Sequence, residues 1–218
     1  MDIIKKIEEL KLIPVAVIED SENAVPLAKA LMAAGLPVVE ITFRTKAAAE
    51  SISLIRNEFP EMLVGAGTVL TIDQVDAAIF AGAEFIVTPG FNPTVVDYCV
   101  QKDYPIVPGL NTPTFIEWGL ERGLNFFKFF PADLSGGTKM LKAISGPYPN
   151  VRFMPTGGIN DDTLTEYLKL DNIIACGGSW IVKKDLISSG NFKEIEIRTK
   201  KALSLIKSEL QDEIISRN

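Results

Sequence analysis

The chain is 218 residues long, 47% hydrophobic, with a formal net charge of -6 and no histidine. That length supports one substantial core and is short for two ordinary domains, and the acidic balance lacks the basic face that general affinity for nucleic acid or anionic membrane requires. Without histidine, serine–histidine hydrolase chemistry and His-ligated zinc are excluded, and acid–base work falls to a carboxylate, a lysine, a tyrosine or water.

The first ten residues mix charge into their apolar positions, which fits neither a secretory core nor a membrane span, so a cytoplasmic protein is expected. Ile3, Ile7 and Leu10 recur at helical spacing, and the leading segment 2–12 is expected to be a helix covering one end of the fold. Apolar runs of strand length follow at 13–18, 37–42, 62–66, 84–88, 105–108, 125–130, 151–156 and 172–177. Helical patterns fill the gaps, as at 24–34, 47–59, 72–81, 94–102 and 114–122, and 193–210 is the expected last outer helix. Thr71 to Gln74 has the spacing of a capping box, Asn92-Pro93 reads as a turn into a helix, and Asn160-Asp-Asp reads as an acidic first helical turn. The polar tail 211–218 is expected to fray. Regular β-then-α alternation with no composition break predicts a single α/β domain over 1–218, a (β/α)8 (TIM) barrel with an extra N-terminal helix. Cys99 and Cys176 stand in apolar stretches without metal-type spacing and are expected to be buried free thiols.

Parallel strands aim their C-terminal ends at one rim, so polar residues there are the candidates for function. In the second run, period two puts Glu40, Thr42 and Arg44 on one face and Val39, Ile41 and Phe43 on the other. A carboxylate and a guanidinium aimed toward the barrel axis or its rim are costly unless they pair or serve a ligand, and Arg44 has the planar fork that grips a carboxylate. In the sixth run, Asn125-Phe-Phe-Lys-Phe-Phe-Pro131, Lys128 shares a face with Phe126 and Phe130. Burial in apolar surroundings favours the uncharged form of an amine, the form that attacks a carbonyl, and Lys128 is the expected nucleophile.

The seventh run ends in Pro155-Thr-Gly-Gly158 and the eighth in Cys176-Gly-Gly-Ser179. Two glycine pairs after these strands predict a phosphate site, because glycine lets backbone N–H groups approach the anion. Gly65-Ala-Gly-Thr68 is expected to leave room for a ligand beneath the Thr68 hydroxyl, while Thr88-Pro89-Gly90 and Pro108-Gly109 read equally as turns or as substrate contacts.

In order, Val39-Glu-Ile-Thr-Phe-Arg-Thr45, Val64-Gly-Ala-Gly-Thr-Val69, Thr88-Pro-Gly90, Pro108-Gly109, Phe127-Lys-Phe-Phe-Pro-Ala132, Phe153-Met-Pro-Thr-Gly-Gly-Ile159 and Gly177-Gly-Ser-Trp180 closely resemble the 2-keto-3-deoxy-6-phosphogluconate (KDPG) and 4-hydroxy-2-oxoglutarate (KHG) aldolase family. The resemblance implies a metal-independent class I aldolase, without cofactor, that reversibly splits the keto-acid phosphate KDPG into pyruvate and glyceraldehyde 3-phosphate, often with activity toward 4-hydroxy-2-oxoglutarate. By motif, it makes Lys128 the Schiff-base lysine and Glu40 the proton-transfer carboxylate. Arg44 and Thr68 would bind the pyruvate carboxylate, Pro89 and Phe130 line the pocket, and Thr156, Gly157, Gly158 and Ser179 hold the phosphate. A homotrimer is the family's usual assembly. The chain departs from the pattern at Val17-Ile-Glu-Asp20, where relatives often carry a basic residue. The residues leave open an aldolase for the galactonate epimer, a Schiff-base oxaloacetate decarboxylase, and a non-catalytic sugar-phosphate binder, against which Lys128 and Glu40 argue.

Overall fold

The computed structural model describes residues 3–217. Helix α1 (Ile3–Leu10) ends where Lys11 turns into the left-handed region at φ 61, and β1 (Leu12–Ala16) starts at once. The predicted leading helix is thus shorter at its C-terminal end, since Leu12 already belongs to the sheet; Asp2 lies outside the described residues. Five buried residues make β1, and β2 (Val38–Thr42) and β3 (Leu63–Gly67) are buried along their whole length as well. That is the pattern of parallel strands covered on both faces.

Between and beyond them the chain alternates as expected. α2 (Ala24–Ala33) and α3 (Ala48–Glu58) flank β2, and α4 (Ile72–Phe80) precedes β4 (Phe85–Val87). α5 (Pro93–Gln101) then leads to β5 (Ile106–Val107). The start signals act locally: the Thr71 hydroxyl accepts the Gln74 N–H at 3.2 Å, while the Gln74 side chain reaches back to the Leu70 N–H at 2.7 Å. Asn92 caps α5 by accepting the Thr94 N–H at 3.1 Å, with Pro93 in the first turn.

The fifth predicted run is split. Pro108 has no N–H to give to a ladder, and the chain resumes as β6 (Gly109–Leu110). There the Thr88 hydroxyl takes over, accepting the Gly109 N–H at 3.2 Å and donating to the Gly90 carbonyl at 2.8 Å. The remaining elements are α6 (Pro113–Leu120), β7 (Phe126–Phe129), α7 (Gly137–Ser145), β8 (Arg152–Pro155), α8 (Leu164–Leu168), β9 (Cys176–Gly178), α9 (Lys184–Ser188) and α10 (Phe192–Arg217).

The result is an α/β fold with a curled parallel sheet in two ladders, β5-β4-β3-β2-β1-β9 and β6-β7-β8. β8 meets the β9 segment through two isolated bridges, Phe153 to Ile173 and Thr156 to Gly177. Three expectations are corrected. The eighth run is a strand only over Cys176–Gly178. Asp161 and Asp162 precede α8 in a turn where Asn160 Oδ1 accepts the N–H groups of Asp162 and Thr163 at 2.9 and 3.2 Å, because an Asx turn competes with the first helical turn. The tail 211–217 continues α10 as helix to Arg217, since polarity alone does not stop a helix and this stretch contains neither glycine nor proline. Asn218 lies outside the described residues.

Both cysteines are buried free thiols; burial pushes the Cys99 thiol up to about 11 and raises Cys176 further still. Among the described residues, no helix is long and apolar enough to cross a membrane.

Candidate active site

β2 carries Glu40 and β7 carries Lys128, 88 residues apart in sequence. Both side chains turn inward, and Lys128 Nζ lies 3.4 Å from Glu40 Oε1. Glu40 is fully buried and Lys128 is 4% exposed. The ammonium position also lies 5.3 Å from the centroid of the Phe130 ring. On the opposite face of β7, Phe127 and Phe129 pack against Phe153 with ring centroids 6.4 and 6.3 Å apart. The strand can therefore be aromatic on both faces and still present one amine to the interior.

Glu40 fits because Gly67 stands beside it: a Cβ on Gly67 would fall 2.0 Å from Glu40 Oε1. One on Gly65 would fall 2.2 Å from the Phe85 ring. The space expected for a ligand at Gly65 and Gly67 is thus filled by the chain's own carboxylate and aromatic ring. The second carboxylate oxygen, Glu40 Oε2, is buried without a hydrogen-bond partner, and so is Thr156 Oγ1. Orphaned buried oxygens are costly in a structural site and are expected where a ligand completes the hydrogen bonding.

A cavity of about 100 Å³ opens at Lys128 and is lined by Arg44, Thr68, Phe130, Thr156, Gly157, Gly158 and Ser179, together with Val15, Val17, Ile159, Gly177 and Gly178. It adjoins an outer groove of about 590 Å³, and Arg44, Gly158 and Ser179 line both. Of the expected residues, Pro89 alone is neither in this lining nor, like Glu40, paired with a residue that is. Its backbone presses on Gly109, where a Cβ would fall 2.4 Å from the Pro89 carbonyl carbon. Arg44 does not continue the inward face of β2: it lies past Thr42 in an exposed turn at the rim, lines both the cavity and the groove, and forms no ion pair among the described residues, so its guanidinium is open to a ligand. Thr42 does not join the cavity; its hydroxyl donates to the Ala16 carbonyl at 3.0 Å.

Gly157 and Gly158 adopt φ of +98 and +85, which glycine alone takes readily, and a Cβ on Gly158 would fall 2.3 Å from Asp133 Cβ. Thr68 is held at φ 55, a left-handed conformation that is strained for a β-branched residue. Thr68→Gly is expected to raise folding stability by about 0.5 to 1 kcal/mol, net of the extra chain entropy of glycine. The same change should weaken ligand binding at the cavity. A melting curve with and without pyruvate checks both signs.

Sequence reasoning missed Val15, Val17 and Ile159, which read as plain core. It also missed the partner of the acidic departure after β1, where Glu19 pairs with Lys184, a residue of the outer groove's lining, at 2.8 Å. A further hollow of about 520 Å³, lined by Ile3, Tyr104, Ile106 and Leu124, lies toward the N-terminal ends of the strands, away from this constellation.

The model of the KDPG and KHG aldolase family matches residues 3–198. The chain belongs to this family. The 2-dehydro-3-deoxy-phosphogluconate aldolase of Haemophilus influenzae is 49% identical over 205 residues, covering 94% of this chain and 97% of that protein. The KDPG aldolase of Legionella pneumophila, whose structure holds pyruvate captured at low pH as a covalent carbinolamine, superposes with a TM-score of 0.86 at 43% identity, covering 88% of this chain and 93% of that one. The Zymomonas mobilis KDPG aldolase, solved with 3-phosphoglycerate, gives 0.84 at 39% identity over 92% and 94%.

Proposed function

We propose that this family member is a Schiff-base (class I) aldolase that reversibly cleaves KDPG to pyruvate and glyceraldehyde 3-phosphate, with 4-hydroxy-2-oxoglutarate, giving pyruvate and glyoxylate, as a second substrate. The observation that carries the reading is Lys128, buried among aromatic rings at the floor of the cavity with Glu40 Oε1 at 3.4 Å. The carbinolamine captured in the Legionella relative supports a covalent route.

The Lys128 amine adds to the C2 carbonyl of KDPG and the carbinolamine loses water to an iminium. When the C3–C4 bond breaks, its electron pair flows into the iminium and leaves an enamine. Glu40, through a water, removes the proton of the C4 hydroxyl, so the C4 fragment departs as the aldehyde. The enamine carbon takes up a proton, and water releases pyruvate from the lysine. The iminium is the electron sink, so the route as written calls for no metal and no cofactor. Arg44 and the Thr68 hydroxyl hold the carboxylate next to C2, and Phe130 bounds the apolar side of the substrate. Thr156, Gly157, Gly158 and Ser179 hold the phosphate, Thr156 from the deep side and Ser179 from the exposed rim.

We read the two ladders as one closed (β/α)8 barrel with α1 added, a single domain over 1–218. The Pro108 interruption and the Thr156 to Gly177 bridge are its two seams. A homotrimer, the family's usual assembly, is supported by large apolar side chains left on outer helices, among them Phe80 on α4, which is 96% exposed. A membrane-impermeant phosphorylated substrate supports a cytoplasmic setting.

Pyruvate release from KDPG, followed by a coupled reduction, tests the reading: steady turnover is expected, and none from folded protein overturns it. Ser179→Ala is expected to raise KM for KDPG about tenfold, the loss of one hydrogen bond to a charged group, while leaving capture of free pyruvate unchanged. Equal weakening of both ligands would remove Ser179 from the phosphate site.

A further inference from the structure

The loops after β8 and β9 meet at the weakest seam of the sheet. Among the described residues, the strand segments leading into them are joined by two isolated bridges rather than a continuous ladder. Something else must fix the distance between Gly157-Gly158 on one side and Gly178-Ser179 on the other, since an anion held by both loops binds only as well as their separation allows.

The Trp180 indole spans the gap. Its Nε1–H donates to Asp161 Oδ1 at 2.7 Å, joining the β9 loop to the β8 loop. The ring lies over Gly178, where a Cβ would fall 1.7 Å from ring carbon Cζ3, so any larger residue there would expel the indole. The other Asp161 oxygen, Oδ2, meets Lys201 Nζ of α10 at 2.7 Å. Arg198, one helical turn earlier, donates from Nη1 to the Trp180 carbonyl at 3.2 Å and is itself held by Glu194 at 2.7 Å. Two loops and one long helix are thus tied through a single tryptophan and a single aspartate. Burial alone would raise the Asp161 carboxyl, but the hydrogen bonds from Lys201 and Trp180 outweigh it and hold the group below its ordinary value, ionised at neutral pH.

We propose that Trp180 and Asp161 form a latch that sets the spacing of the two loops, and so act as positioning residues for the phosphorylated end of the substrate without touching the reacting atoms. The proposal rests on the assignment of the phosphate to these loops.

Trp180→Phe and Asp161→Asn test it. Phenylalanine keeps an aromatic ring over Gly178 and removes the N–H; asparagine keeps an oxygen to accept it. Trp180→Phe is expected to raise KM for KDPG about tenfold with kcat within about twofold, the scale of one hydrogen bond to a charged group, and to leave the concentration dependence of borohydride capture of pyruvate unchanged. Asp161→Asn gives the indole a neutral acceptor and sets an amide NH2 against Lys201, so it is expected to raise KM for KDPG by less than Trp180→Phe does, with kcat and pyruvate capture within about twofold of the parent. An unchanged KM for KDPG in Trp180→Phe overturns the latch, and so does a parallel loss of pyruvate capture, because a general structural role would move both. Calorimetric binding of 3-phosphoglycerate separates this failure from that of the function itself. If the parent binds it but cleaves no KDPG, the aldolase reading falls, while the latch still stands or falls on whether Trp180→Phe weakens that binding about tenfold.

Discussion

Lys128→Met is expected to lower KDPG cleavage by about 10⁴-fold or more, the scale on which removing an enzyme's nucleophile acts. The side chains are similar in length and methionine suits the aromatic surroundings of β7, so the loss should be chemical rather than a loss of fold. Lys128→Arg is the complementary change. It keeps a cation near Glu40, 3.4 Å from Nζ in the parent, but offers no amine that can form an imine. Both variants should be inactive with melting curves that remain cooperative, whereas substantial turnover by either would refute covalent catalysis at this position.

Glu40→Gln should separate two steps that Lys128 variants abolish together. The amide is nearly isosteric, so it fits the space beside Gly67, where a Cβ would lie 2.0 Å from Glu40 Oε1. It cannot accept a proton from the C4 hydroxyl. Turnover is expected to fall by about 100- to 10,000-fold, the usual contribution of a positioned general base, while pyruvate can still be trapped on Lys128. With no histidine in the chain, no nearby imidazole can take over the role. Near-normal turnover would mean that a water or another group carries the proton.

How far this site was legible in sequence depended on whether the relevant contact is local. Glu40 on β2 and Lys128 on β7 follow from a two-residue period, and the structure turns both inward; Thr42 on the same predicted face bonds the Ala16 carbonyl instead, and Arg44 falls beyond the strand in an exposed turn. That Glu40 meets Lys128 does not follow from either segment, since the pair spans 88 residues and depends on how the sheet curls. Gly67 showed only as a small residue at a strand end; its reason, a carboxylate from the neighbouring strand, needs the register that sets Thr42 against Gly67 and Glu40 against Gly65. The break at Pro108 had a visible cause in proline chemistry, but its repair by Thr88 across a loop did not. Thr68 gave no sign of its positive φ, because backbone conformation at a β-branched residue is imposed by the surroundings rather than preferred by the side chain. The acidic stretch after β1 looked like a departure in isolation. In three dimensions Lys184 lies 2.8 Å from Glu19, so a basic group beside the outer groove, in addition to Arg44, comes from the start of α9.

The most direct test of the account is to incubate the protein with pyruvate and borohydride and locate any adduct by peptide mass spectrometry. A reduced pyruvate adduct on Lys128, absent from Lys128→Met, is the predicted result. An adduct on another lysine, or none in protein shown to be folded, would contradict the central claim.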